Sequence, residues 1–166
     1  MDPVIRLAEP RDLPALGRLG AQLVRGHHAF DGDRFMAPGP DIEDGYAWFL
    51  GTQLGQPDVV IYVAEVAGAV VGYAYAGMEP QSWKELREAA GFIQDILVEE
   101  AFRGQGIATR LLEAASAWLE ERGAPRVMLW TAEKNPGAQR LFQRAGFRRT
   151  MIEMTRERRS RGRLAP

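Results

Sequence analysis

Four consecutive residues, Arg103, Gly104, Gln105 and Gly106, have the types and spacing to hold a phosphate group. They follow an apolar run, Phe92-Ile93-Gln94-Asp95-Ile96-Leu97-Val98, and precede an amphipathic segment that opens at Ile107. The first N–H groups of a helix have no internal acceptors and sit at the positive end of its dipole. Glycine carries no Cβ, so at such a turn an anion can come close to those donors. Arg103 adds a fixed positive charge at the lip. Each interaction at a helix terminus is worth roughly 0.3–1 kcal/mol when exposed. Several donors, from Gly104 and Gln105 through Gly106, Ile107, Ala108 and Thr109, must therefore act together on a di-anionic phosphate.

Two better-known phosphate loops do not fit. A Walker A loop needs a Lys after its last glycine, and none follows here; a dinucleotide fingerprint needs a third glycine where this chain has Thr109. Taken alone, the four residues also fit a plain turn in which the glycines only reverse the chain. The adjacent His27 and His28 do not make a chelating face, because neighbouring residues on a helix point in different directions. With two His and no Cys in the chain, neither a metal site nor a thiolate nucleophile is expected.

The elements that must position the loop are legible from periodicity. Residues 92–98 form a strand, and Ile107, Leu111, Ala115 and Trp118, flanked by Leu112 and Leu119, give the following helix its apolar stripe, which Gly123 and Pro125 end. Upstream, Val4-Ile5-Arg6-Leu7 is a first strand. Asp12 caps a helix whose apolar face is Leu13, Leu16, Leu19, Leu23 and Val24 and which ends at Gly26-His27-His28. Asp41 caps a second helix carrying Tyr46, Phe49 and Leu50. Residues 59–66 and 69–76 are strands joined at Ala67-Gly68, a hairpin signal. Ser82-Trp83-Lys84-Glu85 has the form of a capping box, so a short helix is expected between Glu79 and Ala90. Residues 126–131 are a further strand. Asn135 caps a last helix, with Pro136 at its first position and Gly146 closing it, and residues 147–155 finish the sheet as a hairpin or bent strand.

A chain of 166 residues with net charge −1 fits one domain, here residues 1–155, and is not built for bulk binding to nucleic acid or membrane. Residues 156–166 form a basic tail expected to be disordered, with an electrostatic hold on RNA or on a phosphorylated carrier as the alternative. No apolar run is long enough to span a bilayer, and Met1-Asp2-Pro3 does not open a signal peptide, so a cytoplasmic protein is expected.

Two stretches carry a family resemblance. Val98-Glu99-Glu100-Ala101-Phe102-Arg103-Gly104-Gln105-Gly106-Ile107-Ala108 resembles the acetyl-CoA-binding signature of the GNAT acetyltransferases, whose core is Gln/Arg-x-x-Gly-x-Gly/Ala. Asn135-Pro136-Gly137-Ala138-Gln139-Arg140-Leu141-Phe142-Gln143-Arg144-Ala145-Gly146-Phe147 is similar to the second motif of that family, N-x-x-A-x-x-L-Y-x-K-x-G-F. The resemblance implies an α/β fold: a mixed, mostly antiparallel, twisted sheet with a central splayed parallel strand pair and about four helices on both faces. It implies acetyl-CoA as co-substrate and direct transfer of its acetyl group to a primary amine of a small molecule or peptide. The backbone of Ile96, Leu97 and Val98 would pair with the pantetheine arm. The N–H groups near Leu97 and Val98 would stabilise the oxyanion. Arg103 to Thr109 would hold the pyrophosphate, Asn135 and Phe142 would line the carrier, and His28, Trp83 and Gln94 would line the acceptor pocket. The sequence leaves open whether the last strand mediates a homodimer.

The chain departs from that pattern twice. Residues 92–98 look like the strand of the diamine and polyamine acetyltransferase branch, but Gln94 stands where that branch has Glu and cannot take a proton. Asp95 is retained and is the base the resemblance leaves, with Glu65, Glu133 and His28 as weaker candidates. Phe142 stands where the family often has a Tyr that protonates the departing thiolate. These departures motivate an alternative, a CoA-binding regulatory module with degenerate catalysis.

Overall fold

The strand Val59–Val66 (β2) sends successive side chains to opposite sides, and each side meets a different core. Val60 and Ala64 join one cluster with Val71, Ala74, Ile93, Leu111, Leu112 and Leu119. Ile61 and Val63 join another with Leu16, Leu19, Leu50 and Tyr73. Burial on both sides explains why this segment and the next read as continuous apolar runs.

The computed structural model describes residues 2–158. In order, it contains β1 (Val4–Leu7), α1 (Leu13–Phe30), α2 (Ile42–Gln53), β2, β3 (Ala69–Glu79), β4 (Ala90–Val98), α3 (Ile107–Glu121), β5 (Val127–Leu129) and α4 (Pro136–Arg144). The sheet order is β1-β2-β3-β4-β5, antiparallel except for the parallel pair β4–β5. The core side chains of α1 and α2 lie on one face of the sheet, and those of α3 with Phe142 of α4 on the other. The fold class is thus the mixed, mainly antiparallel α/β arrangement expected. The β2–β3 turn is the anticipated one: Ala67 and Gly68 both have positive φ, 51° and 83°, which matches the twist of the flanking strands.

Several local expectations are corrected. α1 does not stop at Gly26; it continues through His27 and His28 to Phe30, and Asp31 follows as its C-cap. Asp12 precedes α1 but gives it no side-chain cap. Its carboxylate is taken by Arg6 (2.7 and 2.9 Å) and by the Glu9 N–H (2.8 Å). No helix forms at Ser82-Trp83-Lys84-Glu85. The Ser82 hydroxyl does accept from the Glu85 N–H (3.2 Å), yet Ser82 pairs with Arg87 across the gap and the chain reverses between them, with Leu86 at φ 53°. The strand expected at residues 126–131 is only Val127–Leu129. After α4 no further strand forms within the described residues: residues 147–158 are without regular structure, tethered by Arg149–Glu133 and Arg34–Glu153 ion pairs. The parallel pair therefore stands at the edge of the described sheet instead of its middle. Arg156 to Arg158 are exposed and irregular, and the rest of the basic tail lies outside the described residues.

Candidate active site

The loop from Arg103 to Gly106 is built for main-chain donation. Gly104 and Gly106 have φ of 76° and 78°, a region closed to most side chains, and a Cβ added to either would meet no protein atom within 4 Å. Gly106 is the N-cap of α3, and the first helical bond runs from the Arg110 N–H to Gly106 O (3.1 Å). Among the described residues, the N–H groups of Gly104, Gln105, Gly106, Ile107, Ala108 and Thr109 donate to no protein acceptor, and the first turn of α3 holds no acidic side chain. Six successive donors at the positive end of a fifteen-residue helix form an anion cradle. Ile107 contributes only its main chain, since its side chain is buried in the core. Arg103 is not simply a free charge at the lip: its Nε donates to Val98 O (3.1 Å) and ties the loop to the end of β4.

Beside the cradle, β4 has an open edge. It pairs with β5 only at Gly91, Phe92 and Ile93, so residues 94–98 have no strand partner on that side among the described residues. On the other side the register runs Tyr75↔Asp95 and then Ala76↔Ile93, which leaves Gln94 as an extra, bulged residue. The bulge decides which main-chain groups face the opening. The Glu99 N–H donates to Val71 O (2.9 Å), and antiparallel bonding alternates, so Leu97 and Asp95 bond to Tyr73 and Tyr75 while Ile96 and Val98 face outward. Arg103 on Val98 O agrees with that direction. Of the two main-chain donors expected from sequence, Leu97 is thus spent on the β3 ladder. Val98 keeps its position, and Ile96 shares the edge with it.

Asp95 projects from the bulge onto the face covered by α1 and α2. Its Oδ2 accepts the hydroxyls of Tyr46, from α2, and Tyr73, from β3 (3.0 Å for Tyr73). Its Oδ1 takes no hydrogen bond from the described residues. Burial pushes the Asp95 carboxyl above the usual carboxylate range; the two hydroxyls and the charge of His27 pull in the opposite direction without cancelling it. Burial, then the Asp95 charge, raise both tyrosine hydroxyls, so they act as donors and do not ionise.

The remaining expected site residues divide. Gln94 is exposed and its amide donates to Glu79 Oε1 (2.7 Å). His28 is held by Phe35 O (3.1 Å to Nδ1), whereas His27 is the histidine whose charge reaches Asp95. Trp83 sits on the β3–β4 turn, 82% exposed. Asn135 spends its Oδ1 on the N–H of Ala138 (3.1 Å), capping α4. Phe142 is buried, edge-on to Phe147 with centroids 6.1 Å apart. Glu65 is engaged by Arg6, and Glu133, an exposed residue, pairs with Arg149 (3.3 Å). Tyr46 and Tyr73 are the residues that sequence reading missed, their signal being the aromatic groups on the second helix and third strand; of the histidine pair, sequence reading placed His28 and not His27 at the pocket.

An anion cradle that abuts an exposed strand edge suits a ligand with a pyrophosphate at one end and an amide-bearing arm at the other. That is the chemistry of a coenzyme A thioester, so fold and site together define an acyl-carrier-dependent transferase. A sequence profile of the acetyltransferase (GNAT) family matches residues 27–147. The chain belongs to that family, a class of N-acetyltransferases whose co-substrate is acetyl-CoA. It is 34% identical over 100 residues to an uncharacterized N-acetyltransferase of Methanocaldococcus jannaschii, an alignment covering 60% of this chain and 44% of that protein. It is 29% identical over 147 residues to one of Archaeoglobus fulgidus, covering 87% of this chain and 92% of the relative. Its fold is similar to that of an aminoglycoside N-acetyltransferase crystallised with CoA, with a TM-score of 0.76, 22% identity and 96% of each chain covered. Among the described residues no helix is long and apolar enough to cross a membrane, and no group of three or more His, Cys, Asp or Glu is placed to hold a metal ion.

Proposed function

We propose that the chain transfers the acetyl group of acetyl-CoA directly to a primary amine of a small molecule or peptide, with Asp95 accepting the amine's proton. The observation that carries this reading is the position of Asp95. It is a half-buried carboxylate with one oxygen that takes no hydrogen bond from the described residues, at the bulge where the open edge of β4 meets the α1–α2 face. Coenzyme A, when bound, supplies the activated acyl group. The chain's own contributions are to hold, orient and move a proton.

The amides of residues 104–109 would hold the pyrophosphate, and the main chain of Ile96 and Val98 would align the pantetheine arm, with the Val98 N–H directed at the developing oxyanion. On the other face the acceptor amine must lose a proton. An alkylammonium near pKa 10.4 costs roughly 4–5 kcal/mol to deprotonate at pH 7. A carboxylate raised by burial narrows that gap, and the Tyr46 and Tyr73 hydroxyls occupy Oδ2, which would leave Oδ1 to take the proton. Phe142 has no proton to give, so the thiolate, with a pKa of about 8.5, leaves without a dedicated acid. Within this reading residues 1–155 are one catalytic domain and the reaction takes place in the cytoplasm.

A panel of primary amines (diamines, amino sugars, aminoglycosides and peptide N-termini) assayed for release of CoA thiol tests the proposal. Amine-dependent release that Asp95→Asn abolishes is the expected result. Binding of acetyl-CoA with no turnover on any amine would instead favour a regulatory CoA-binding module, the reading that Gln94 and Phe142 motivate.

A further inference from the structure

α1 carries two glycines where a helix facing another helix would ordinarily place larger groups. Gly17 and Gly20, three residues apart, share a face of α1. A Cβ on Gly17 would lie 2.4 Å from Glu43 O and 2.8 Å from the Ala47 Cβ. One on Gly20 would lie 1.9 Å from Cδ1 of Tyr46, inside its ring. Both glycines are buried, and helix-interior glycine costs about 1 kcal/mol against alanine. The close approach they allow offsets that cost with one specific result: the Tyr46 ring lies against the bare backbone of α1 and its hydroxyl ends on Asp95 Oδ2.

We propose that the Gly17/Gly20 notch seats the Tyr46 ring so that its hydroxyl orients Asp95 and sets the pH at which that carboxylate accepts the amine proton. Tyr46 is thereby a positioning residue of the acyl transfer. This rests on the reading of Asp95 as the proton acceptor. Packing around Tyr46 supports a fixed ring: it meets Phe49 edge-on at 5.9 Å, and Phe49 meets Tyr75 likewise at 5.9 Å. The groups that face Asp95 are Tyr46 from α2, Tyr73 and Tyr75 from β3, and His27 from α1; Glu79, further along β3, acts on Tyr75. Tyr73 is wholly buried in the sheet core, and His27 is held by Leu23 O (2.9 Å) between Phe30 and Phe35. Tyr46 is therefore the donor contributed by the helix that the glycines admit. A hydroxyl donating to the carboxylate favours its ionised form, so loss of that hydroxyl raises the Asp95 pKa further.

Tyr46→Phe keeps the ring and removes only the hydroxyl. Two readouts separate its outcomes: the carboxyl-carbon NMR titration of Asp95, and the acid limb of the kcat/KM–pH profile. Both are expected to move towards alkaline pH, with kcat/KM on that limb down by about tenfold, the plateau and the KM for acetyl-CoA being kept. A carbon titration that does not move overturns the proposal alone. A carbon titration that moves without the kinetic limb overturns Asp95 as proton acceptor, and the catalytic half of the proposal with it. The notch is tested by thermal denaturation of Gly20→Ala, Tyr46→Ala and the pair. Removing the ring that the added methyl would strike is expected to make Gly20→Ala cheaper in the Tyr46→Ala background than in the wild type. Equal cost in both backgrounds overturns the notch.

Discussion

Asp12 is a buried carboxylate and Asp95 a half-buried one, and their pKa values move in opposite directions for reasons visible in their partners. Asp95 has two neutral hydroxyls and burial prevails, so its folded pKa lies above its unfolded one. Such a group binds more protons in the folded state, and its contribution to stability falls as pH rises from the unfolded value through the folded one. Asp95→Asn is therefore expected to raise the melting temperature at pH 7 while lowering kcat by about 100-fold or more. Melting curves and steady-state rates on the same preparation check both halves, and a variant that loses stability would contradict the sign. Asp12 is paired with Arg6, which with the Glu9 N–H holds its carboxyl below the ordinary value of 3.8. The stability it contributes is fully present above that value and is lost as pH falls. Asp12→Ala should cost about 1–3 kcal/mol at pH 7, and the deficit should shrink in urea denaturations run at pH 3. Phe142 is buried against Phe147, and in the proposed reaction a hydroxyl there would supply the departing thiolate with a proton. Phe142→Tyr should leave or raise kcat, and a large fall would remove this position from the thioester's surroundings.

The element proposed to bind the donor is a turn, and turns respond to backbone conformation before anything else. Gly106 holds φ 78° with open space where a Cβ would stand. Gly106→Ala meets no protein atom, so the fold should bear only the left-handed strain of about 1–2 kcal/mol, while the new methyl intrudes on the face that an anion must use. Calorimetry should show affinity for CoA down at least tenfold with the protein still folded; undiminished affinity would mean that the cradle is not the binding element. This loop, the flanking strand and the long helix were legible in the sequence because each rests on local rules: glycine at positive φ, period-2 and period-3.6 patterns, caps. What was not legible depends on partners far along the chain. The bulge at Gln94 exists only in the register between β4 and β3, and that register spends Leu97 on the ladder. Tyr46 reaches Asp95 across 49 residues, and nothing local distinguishes His27 from His28 as the one near it. Ser82 and Glu85 make the bond of a capping box, yet the β3–β4 reversal leaves no length for a helix. Residues 147–155 have strand-like composition, but β5 is only three residues long and offers them little edge to pair with.

Across the whole molecule the sheet separates two tasks. The cradle belongs to α3, which packs on one face, and Asp95 with Tyr46 belongs to the face under α1 and α2; β4 carries Asp95 and leads into the cradle. Each face has its own apolar core, so a change at one site must cross the sheet to reach the other, through β4 or through β2 and β3, which contribute side chains to both cores. Sites without shared partners are expected to be energetically independent to within about 0.5 kcal/mol. Asp95→Asn should therefore bind CoA with an affinity within about twofold of the wild type, and CoA at 100 times its Kd should stabilise both proteins by about 2.7 kcal/mol. Conversely, Gly106→Ala should leave the carboxyl-carbon titration of Asp95 unchanged. Calorimetry on the first variant and NMR on the second check the two expectations separately. If Asp95→Asn instead changed CoA affinity tenfold, about 1.4 kcal/mol would have crossed the sheet. The bulge at Gln94, the one irregularity shared by the open edge and the carboxylate, would then be the element that carried it.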